Sequence, residues 1–173
     1  MIDQNTDNYR HARELAVKYI GISNKTCGKV RSHLEKKGIP ESVINKVLED
    51  LSDAGYINDQ GVARSIIASR KGKNSEGRLR LRSRLLSSGI PEHVVDSQME
   101  AVPSDSETIL SLLRDHFHGE GPIELLSEDY RVVFKKTANL LKSRGYSYDL
   151  ILHTLNRFFT EVFDSDSDER NAL

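Results

Sequence analysis

The sequence contains three internal copies of one pattern, and this repetition limits the possible folds more than any other feature. Residues 30–51, "VRSHLEKKGIPESVINKVLEDL", align without a gap with residues 81–102, "LRSRLLSSGIPEHVVDSQMEAV", and residues 137–158 follow the pattern more loosely. Apolar residues in each copy lie three or four positions apart on both sides of a glycine, which is the spacing of one helix face. Each copy therefore predicts a helix, a glycine-centred turn and a second helix.

A third helix is predicted ahead of each copy. Apolar residues recur at helical spacing over residues 12–20, 63–67 and 109–117. The chain is therefore predicted to be all-α, with three tandem three-helix repeats. Because repeats that bury one face against the next stack along one direction, we expect them to form an elongated, curved array.

The ends of the copies also predict the domain organisation. We place the first repeat at residues 1–58, the second, basic repeat at 59–103 and the third at 104–163. The last ten residues, "DSDSDERNAL", are acidic and lack the apolar spacing of a packed helix. We therefore expect residues 164–173 to be an acidic flexible tail.

The stretch "RLRLRSR", residues 78–84, gives a conflicting local signal. Its alternation of arginine and leucine is typical of a β-strand with one buried face. The same residues, however, overlap the start of the second copy, whose apolar positions have helical spacing. We therefore predict that this stretch is a helix.

Composition excludes several classes of protein. No apolar run approaches the ~20 residues that a membrane-spanning helix needs, and the N-terminus, "MIDQNTDNYR", is too polar for a secretory signal. A single cysteine, Cys27, cannot form an internal disulfide, which suits a reducing compartment. These features predict a soluble cytoplasmic protein in which Cys27 packs and is not a catalytic nucleophile.

Positive charge is concentrated in one part of the chain, although the formal net charge is only −1. Residues 64–84 contain eight basic residues and a single acid, Glu76. Such a block attracts phosphates or acidic surfaces, and the guanidinium group of arginine binds either one. The alternative is a helix face that is simply solvated. The eight candidate binding residues are Arg64, Arg70, Lys71, Lys73, Arg78, Arg80, Arg82 and Arg84.

Basic residues recur on the corresponding helices of the other two repeats, which extends the candidate surface. These further candidates are Lys29, Arg31, Lys135, Lys136, Lys142 and Arg144. Aromatic residues are not interleaved with the basic block, which disfavours tight, base-specific binding of a single strand.

The turn at residues 55–59, "GYIND", is predicted to have a structural role. Asp59 is placed to cap the fourth helix, and Tyr56 and Ile57 are expected to fold under the turn. No second carboxylate or base accompanies Asp59, and His116 and His118 have no partner at metal-ligand spacing. Glycine-rich phosphate loops are also absent from the sequence. We therefore predict no enzyme activity, no metal and no cofactor.

Several motifs together resemble the RecX family over residues 10–160. These motifs are "GYIND" followed by "VA", "EG" before "RLRLRSRLL", the two "GIP" turns, and "KSRGYSYDLI". Two positions depart from the family pattern: Val62 replaces an aromatic residue, and Gly28 interrupts the second helix.

The resemblance implies a function in bacterial recombination and DNA repair, including the SOS response. Members of this family regulate the RecA recombinase by lying in the groove of its filament on single-stranded DNA. They inhibit ATP hydrolysis, strand exchange and filament extension. The implied partners are thus the RecA filament and single-stranded DNA, with weak binding to duplex DNA. The resemblance also implies that the regulator is a monomer and does not bind a membrane.

Two other functions are open at this stage. Any of the helix–turn–helix pairs could read duplex DNA, although the helices that begin at Glu41 and Glu92 are acidic or apolar, unlike recognition helices. The second alternative is a helical scaffold that binds only protein. A flat salt dependence in a DNA-binding assay would support it.

Overall fold

The computed structural model describes residues 4–23, 25–117 and 130–170. Within these ranges the chain forms nine α-helices, one 3₁₀ turn at Gly72–Asn74 and no strand. The helices are α1 Gln4–Ile20, α2 Cys27–Lys36, α3 Glu41–Asp53, α4 Asp59–Ala68, α5 Arg78–Ser87, α6 Glu92–Glu100, α7 Asp105–His116, α8 Tyr130–Ser143 and α9 Tyr148–Arg170. The predicted all-α fold is confirmed.

The glycine of each sequence copy reverses the chain between two helices, as predicted. Gly38, Gly89 and Gly145 have φ angles of 74°, 81° and 87°, in the left-handed region that only glycine adopts readily. The residue after each glycine donates its backbone N–H to the carbonyl of the matching leucine, Leu34, Leu85 or Leu141, at 3.2–3.4 Å. The three turns therefore share one hydrogen-bonded geometry.

The chain divides into two compact units, which split the predicted second repeat. The first unit contains residues 1–69 and 82–101, and the second contains residues 70–81 and 102–173. The division falls inside α5. The repeat boundaries stay a prediction, and α9 continues to Arg170, past residue 164 where we placed the start of the tail.

The core of the first unit is formed mainly by α1, α2 and α3, which all pack against one another. Val30, Leu34, Val47 and Leu51 are fully buried in it. Ile57, from the turn before α4, joins this core as expected, whereas the preceding Tyr56 is 47% exposed. The turn is therefore anchored by Ile57 alone.

The core of the second unit lies where α9 packs against both α7 and α8. Its apolar residues include Ile109, Leu141 and Leu155. It also contains a cluster of rings whose centroids are 5.3–6.1 Å apart, formed by Phe117, Tyr130, Phe134, Phe158 and Phe159. Edge-to-face contacts at such distances stabilise a core beyond the effect of apolar burial alone.

Candidate functional site

The basic stretch "RLRLRSR" lies on α5, so the helix prediction is confirmed. Leu81 and Leu85 are buried, whereas Leu79 is 81% exposed. The apolar face of α5 therefore follows the helical spacing of the repeat, and the alternation of arginine and leucine does not form a strand. The arginines on either side of this face have partners within the chain.

Arg82 is held by two carboxylates of α6. Its Nη2 lies 2.6 Å from Glu92 Oε1 and 3.0 Å from Asp96 Oδ1. Hydrogen bonds to Glu92 and Asp96 raise the pKa of this guanidinium further above its ordinary range. Much of the positive charge of Arg82 is thus neutralised before any partner binds.

Two further arginines of α5 donate hydrogen bonds to backbone carbonyls, one in the loop before α7 and the other at the end of α8. The side chain of Arg78 donates to the carbonyls of Val102 and Pro103. Arg80 Nη1 donates to the Ser143 carbonyl at 2.5 Å, next to the end of α8. Such charge-assisted bonds are stronger than neutral ones, so these arginines contribute to the structure of the second unit.

The remaining predicted residues differ in how much of their charge is available. Arg84 is partly buried and has an interaction within the chain. Arg31 donates to Asn45 Oδ1 at 2.6 Å, Lys142 lies over the Tyr148 ring, and Arg70 has a buried Nε without a hydrogen-bond partner among the described residues. Six of the predicted residues are exposed and have neither an ion pair nor a ring contact in the described part of the chain: Lys29, Arg64, Lys71, Lys73, Lys135 and Lys136.

The first unit contains a close contact between two glycines, which we call the first joint. It consists of residues 26–28 at the start of α2, Asp59, and residues 88–89 of the glycine turn. Gly28 N donates to the Gly89 carbonyl at 2.9 Å, and Thr26 Oγ1 donates to the Ser88 carbonyl at 2.7 Å. A Cβ atom added to Gly28 would lie 2.6 Å from the Gly89 oxygen, so the contact requires glycine.

The second unit contains the equivalent contact, which we call the second joint. It consists of residues 77–80 at the start of α5, Asp105, and residues 143–146 around the next glycine turn. Gly77 N donates to the Arg144 carbonyl at 3.0 Å. A Cβ atom added to Gly77 would lie 2.5 Å from the Gly145 oxygen. In each unit, therefore, the middle helix of one repeat begins against the glycine turn of the next.

Asp59 stabilises a different helix from the one we predicted. The cap of α4 is Asn58, whose side chain accepts from Gly61 N at 2.8 Å. Asp59 instead accepts from Cys27 N, the first residue of α2, at 3.0 Å. Burial raises the pKa of the Asp59 carboxyl. The hydrogen bond from Cys27 N and the nearby His93 lower it, but their effect is smaller. Sequence spacing alone missed this role because the bond joins different repeats.

Asp105 makes the matching bond in the second joint, and sequence reasoning did not single it out. Its Oδ1 accepts from Arg78 N, the first residue of α5, at 2.8 Å. Asp59 and Asp105 are each the first residue of the helix that opens a repeat. This shared position in the sequence could have indicated that Asp105 has the same role as Asp59.

Cys27 is half-buried at the first joint. Burial, followed by the nearby Asp59 carboxylate, raises the pKa of its thiol. A raised pKa reduces the fraction of reactive thiolate at neutral pH. The environment of Cys27 thus favours packing over nucleophilic chemistry.

A cavity of about 210 Å³ lies in the second unit between α7, α8 and the 3₁₀ turn. It brings together two of the predicted basic residues, Lys73 and Arg144, which are far apart in the sequence. Its other lining residues are Leu112, Leu113, Asp115, His116, Thr137, Leu140 and Leu141.

Among the described residues, no three histidine, cysteine or acidic side chains form a group that could hold a metal ion. His118 lies outside the described residues. Of the helices described, none combines the length and apolar character needed to cross a bilayer.

Comparisons with known proteins agree with this architecture. Residues 12–51 match the family model for the first three-helix domain of RecX. The chain is 26% identical over 156 residues to the regulatory protein RecX of Clostridium acetobutylicum, covering 90% of this chain and 72% of that protein. It is also 26% identical over 150 residues to the regulatory protein RecX of Chlorobium phaeobacteroides, covering 87% of this chain and 95% of that protein.

A solved structure shows the same fold. The crystal structure of RecX from Lactobacillus salivarius superposes with a TM-score of 0.62 at 20% identity, covering 88% of this chain and 97% of that one. The fold and the matches together define an all-α chain whose residues 12–51 form a three-helix domain of the RecX type. The first-domain model, the curated relatives and the solved structure together support the resemblance to the RecX family that the motifs predicted.

Proposed function

We propose that this chain is a non-enzymatic regulator that binds the RecA filament on single-stranded DNA and inhibits its ATPase, strand exchange and extension. Resemblance to the RecX family supports this proposal, since the relatives are named regulatory proteins. The proposed setting is the cytoplasm, with the regulator acting as a monomer and without a cofactor.

The observation that carries the proposal is that six of the predicted basic residues are exposed and have neither an ion pair nor a ring contact among the described residues, and that they occur in both units. Lys29 and Arg64 belong to the first unit, and Lys71, Lys73, Lys135 and Lys136 belong to the second. Such side chains can neutralise phosphates or carboxylates without first breaking an internal bond. We therefore assign the main contacts to these residues. Arg78, Arg80 and Arg82 stay candidates, but each already has a bond within the chain, so we assign them a smaller share of these contacts.

The proposed mechanism relies on many weak contacts in place of one catalytic group. Each exposed lysine or arginine contributes a modest, salt-sensitive attraction, and binding strength comes from their sum. A regulator held along the filament in this way would inhibit the recombinase by occupying its surface. No side chain of the regulator has to react.

The test reverses two of the exposed cations. We expect Arg64→Glu with Lys71→Glu to weaken inhibition of the RecA ATPase at least tenfold and to flatten its salt dependence. The matched control is Lys36→Glu with Lys37→Glu, which makes the same charge change at exposed residues outside the proposed surface. Helical circular dichroism should be unchanged in both proteins.

Equal inhibition by the two double variants would refute the charge-based part of this proposal. Inhibition that is insensitive to salt would instead support a scaffold that binds only protein. Duplex reading by α6 is disfavoured, because Glu92 and Asp96 place carboxylates on that helix.

A further inference from the structure

The cavity of the second unit is lined by both apolar and charged side chains. Leu112, Leu113, Leu140 and Leu141 supply the apolar wall, and Thr137 lies among them. Leu140 is 46% exposed even though it lies on a core helix. Water is therefore in contact with apolar surface at the mouth of the cavity, and burying that surface would favour binding.

The size of the cavity limits its occupant. Pockets for drug-sized ligands and cofactors enclose about 300–1,000 Å³, which exceeds the 210 Å³ found here. A cavity of about 150 Å³ already accommodates a benzene molecule. The volume thus fits one leucine- or phenylalanine-sized side chain and is too small for a whole nucleotide.

The charges in the lining indicate what should flank that side chain. Lys73 and Arg144 contribute two positive charges to the lining, and Asp115 contributes one negative charge. The imidazole of His116 is packed edge-on against Phe117, with ring centroids 4.8 Å apart. Stacking of a nucleobase is disfavoured because, among the described residues that line the cavity, His116 is the sole aromatic one and its ring is already packed against Phe117. Carboxylates are therefore the anions that suit this lining.

We propose that this cavity binds an acidic peptide segment of a partner protein, with one large apolar side chain inserted among the leucines. Carboxylates on either side of that anchor pair with Lys73 and Arg144, and Asp115 accepts a peptide N–H. This site goes beyond the proposed function, since it requires neither DNA nor the exposed cations outside the cavity.

The test uses the full chain and fluorescein-labelled peptides in an anisotropy titration. The first peptide has a central phenylalanine flanked by glutamates, the second replaces that phenylalanine with serine, and the third probe is an oligothymidylate of equal charge. We expect the first peptide to bind at least tenfold more tightly than the second. Equal affinity for both peptides, or preference for the oligonucleotide, would overturn the proposal.

Paired variants locate the site within the second unit. Leu140→Asp should weaken binding of the first peptide at least tenfold, whereas Val132→Asp, on the same helix and also 46% exposed, should leave it unchanged. Lys73→Glu should likewise weaken binding severalfold, whereas Lys135→Glu should not. If the members of either pair behave alike, the cavity is not the binding site.

Inhibition of the RecA ATPase, measured on the same variants, separates the two proposals. Peptide binding that depends on Leu140 supports the cavity proposal even if Arg64→Glu with Lys71→Glu inhibits normally. Conversely, loss of inhibition in that double variant does not rescue the cavity proposal if peptides fail to bind.

Discussion

The two joints solve the same packing problem with different residues. In both, the carbonyl of the residue before a turn glycine accepts a hydrogen bond from the residue preceding the middle helix. The donor is the side-chain hydroxyl of Thr26 in the first joint and the backbone N–H of Gly77 in the second. Thr26 and Gly77 are aligned in the sequence copies. The two joints thus have the same acceptor and the same position of the donor residue, but the donor is a side-chain hydroxyl in one and a backbone N–H in the other.

The joints also differ in the charges around them. Arg80 of α5 reaches the Ser143 carbonyl, whereas its aligned counterpart in α2, Lys29, is exposed and has no ion pair among the described residues. Arg78, aligned with Cys27, adds bonds to Val102 and Pro103. Two of the four arginines of α5 therefore have structural roles in the second unit: Arg80 supports the second joint, and Arg78 binds the carbonyls just before α7.

The largest effect that distinguishes the joints is expected from alanine at the turn glycines. An added Cβ at Gly89 would lie 2.8 Å from Thr26 Oγ1 and 3.1 Å from the backbone Lys29 N, whereas at Gly145 the three nearest atoms, 3.0–3.6 Å away, all belong to the Arg80 side chain. Left-handed strain and overpacking together should cost about 3 kcal/mol in Gly89→Ala and about 2 kcal/mol in Gly145→Ala. Urea denaturation measures both.

Gly38→Ala is the matched control for this pair. It has the same left-handed φ, but an added Cβ would meet nothing within 4 Å. Its cost should be about 1 kcal/mol, from backbone strain alone. A cost equal to that of Gly89→Ala would show that crowding at the first joint contributes nothing.

Removing the hydroxyl at the first joint should have the next largest effect. Thr26→Val keeps the shape of a buried side chain but leaves the Ser88 carbonyl without its donor. We expect a loss of about 2 kcal/mol in the free energy of unfolding, measured by urea denaturation. The exposed hydroxyl of Thr108, which donates to the Ser104 carbonyl, provides the control. Thr108→Val should cost much less, and similar losses would argue against the first joint.

The contribution of arginine to the second joint is tested by comparing Arg80→Met with Lys29→Met. These changes remove one positive charge each at aligned positions. Because Arg80 is half-exposed, its bond to Ser143 should contribute only about 1 kcal/mol to the free energy of unfolding. Lys29→Met should be close to neutral in the same denaturation assay. The reverse order would contradict the proposed role of Arg80.

Tyr146 offers a stabilising change beside the second joint. Its hydroxyl is buried, has no hydrogen-bond partner among the described residues, and burial raises its pKa to about 12. Tyr146→Phe removes a hydroxyl that was desolvated on folding without forming a hydrogen bond in the described part of the chain. The change should therefore leave the free energy of unfolding unchanged or raise it by up to about 1 kcal/mol. A clear loss on thermal denaturation would reveal a partner for the hydroxyl.

The smallest effect concerns pH at the first joint. Burial raises the pKa of Asp59 in the folded state above its value in the unfolded chain. The folded state therefore binds more protons than the unfolded state between those two values, so stability rises as pH falls through this window. Asp59→Asn should lack that gain. Between pH 7 and pH 4, the free energy of unfolding of the native chain should increase relative to that of the variant as the pH falls. A constant difference between the two proteins over this range would contradict the prediction.

Much of the fold was predictable because it depends on local spacing. The helices of "RLRLRSRLL" and "KSRGYSYDLI" follow from apolar residues repeated every three or four positions, and the turns at Gly38, Gly89 and Gly145 follow from a backbone conformation that favours glycine. The roles of charged residues were less predictable. Arg82 and Asp59 each have partners in another helix, and no local pattern indicates which distant atom a long or buried side chain will reach.

The amino-acid order was sufficient to predict the helices, their threefold repetition and the resemblance to the RecX family, since each depends on periodicity or on motifs that can be compared directly. Tertiary structure decided which cations remain available for a partner and which are bound internally. It also brought Gly28 to Gly89 and Gly77 to Gly145, and placed Lys73 and Arg144 at one cavity. Contacts between residues 27 to 71 positions apart depend on how helices pack, and packing is a property of the whole unit.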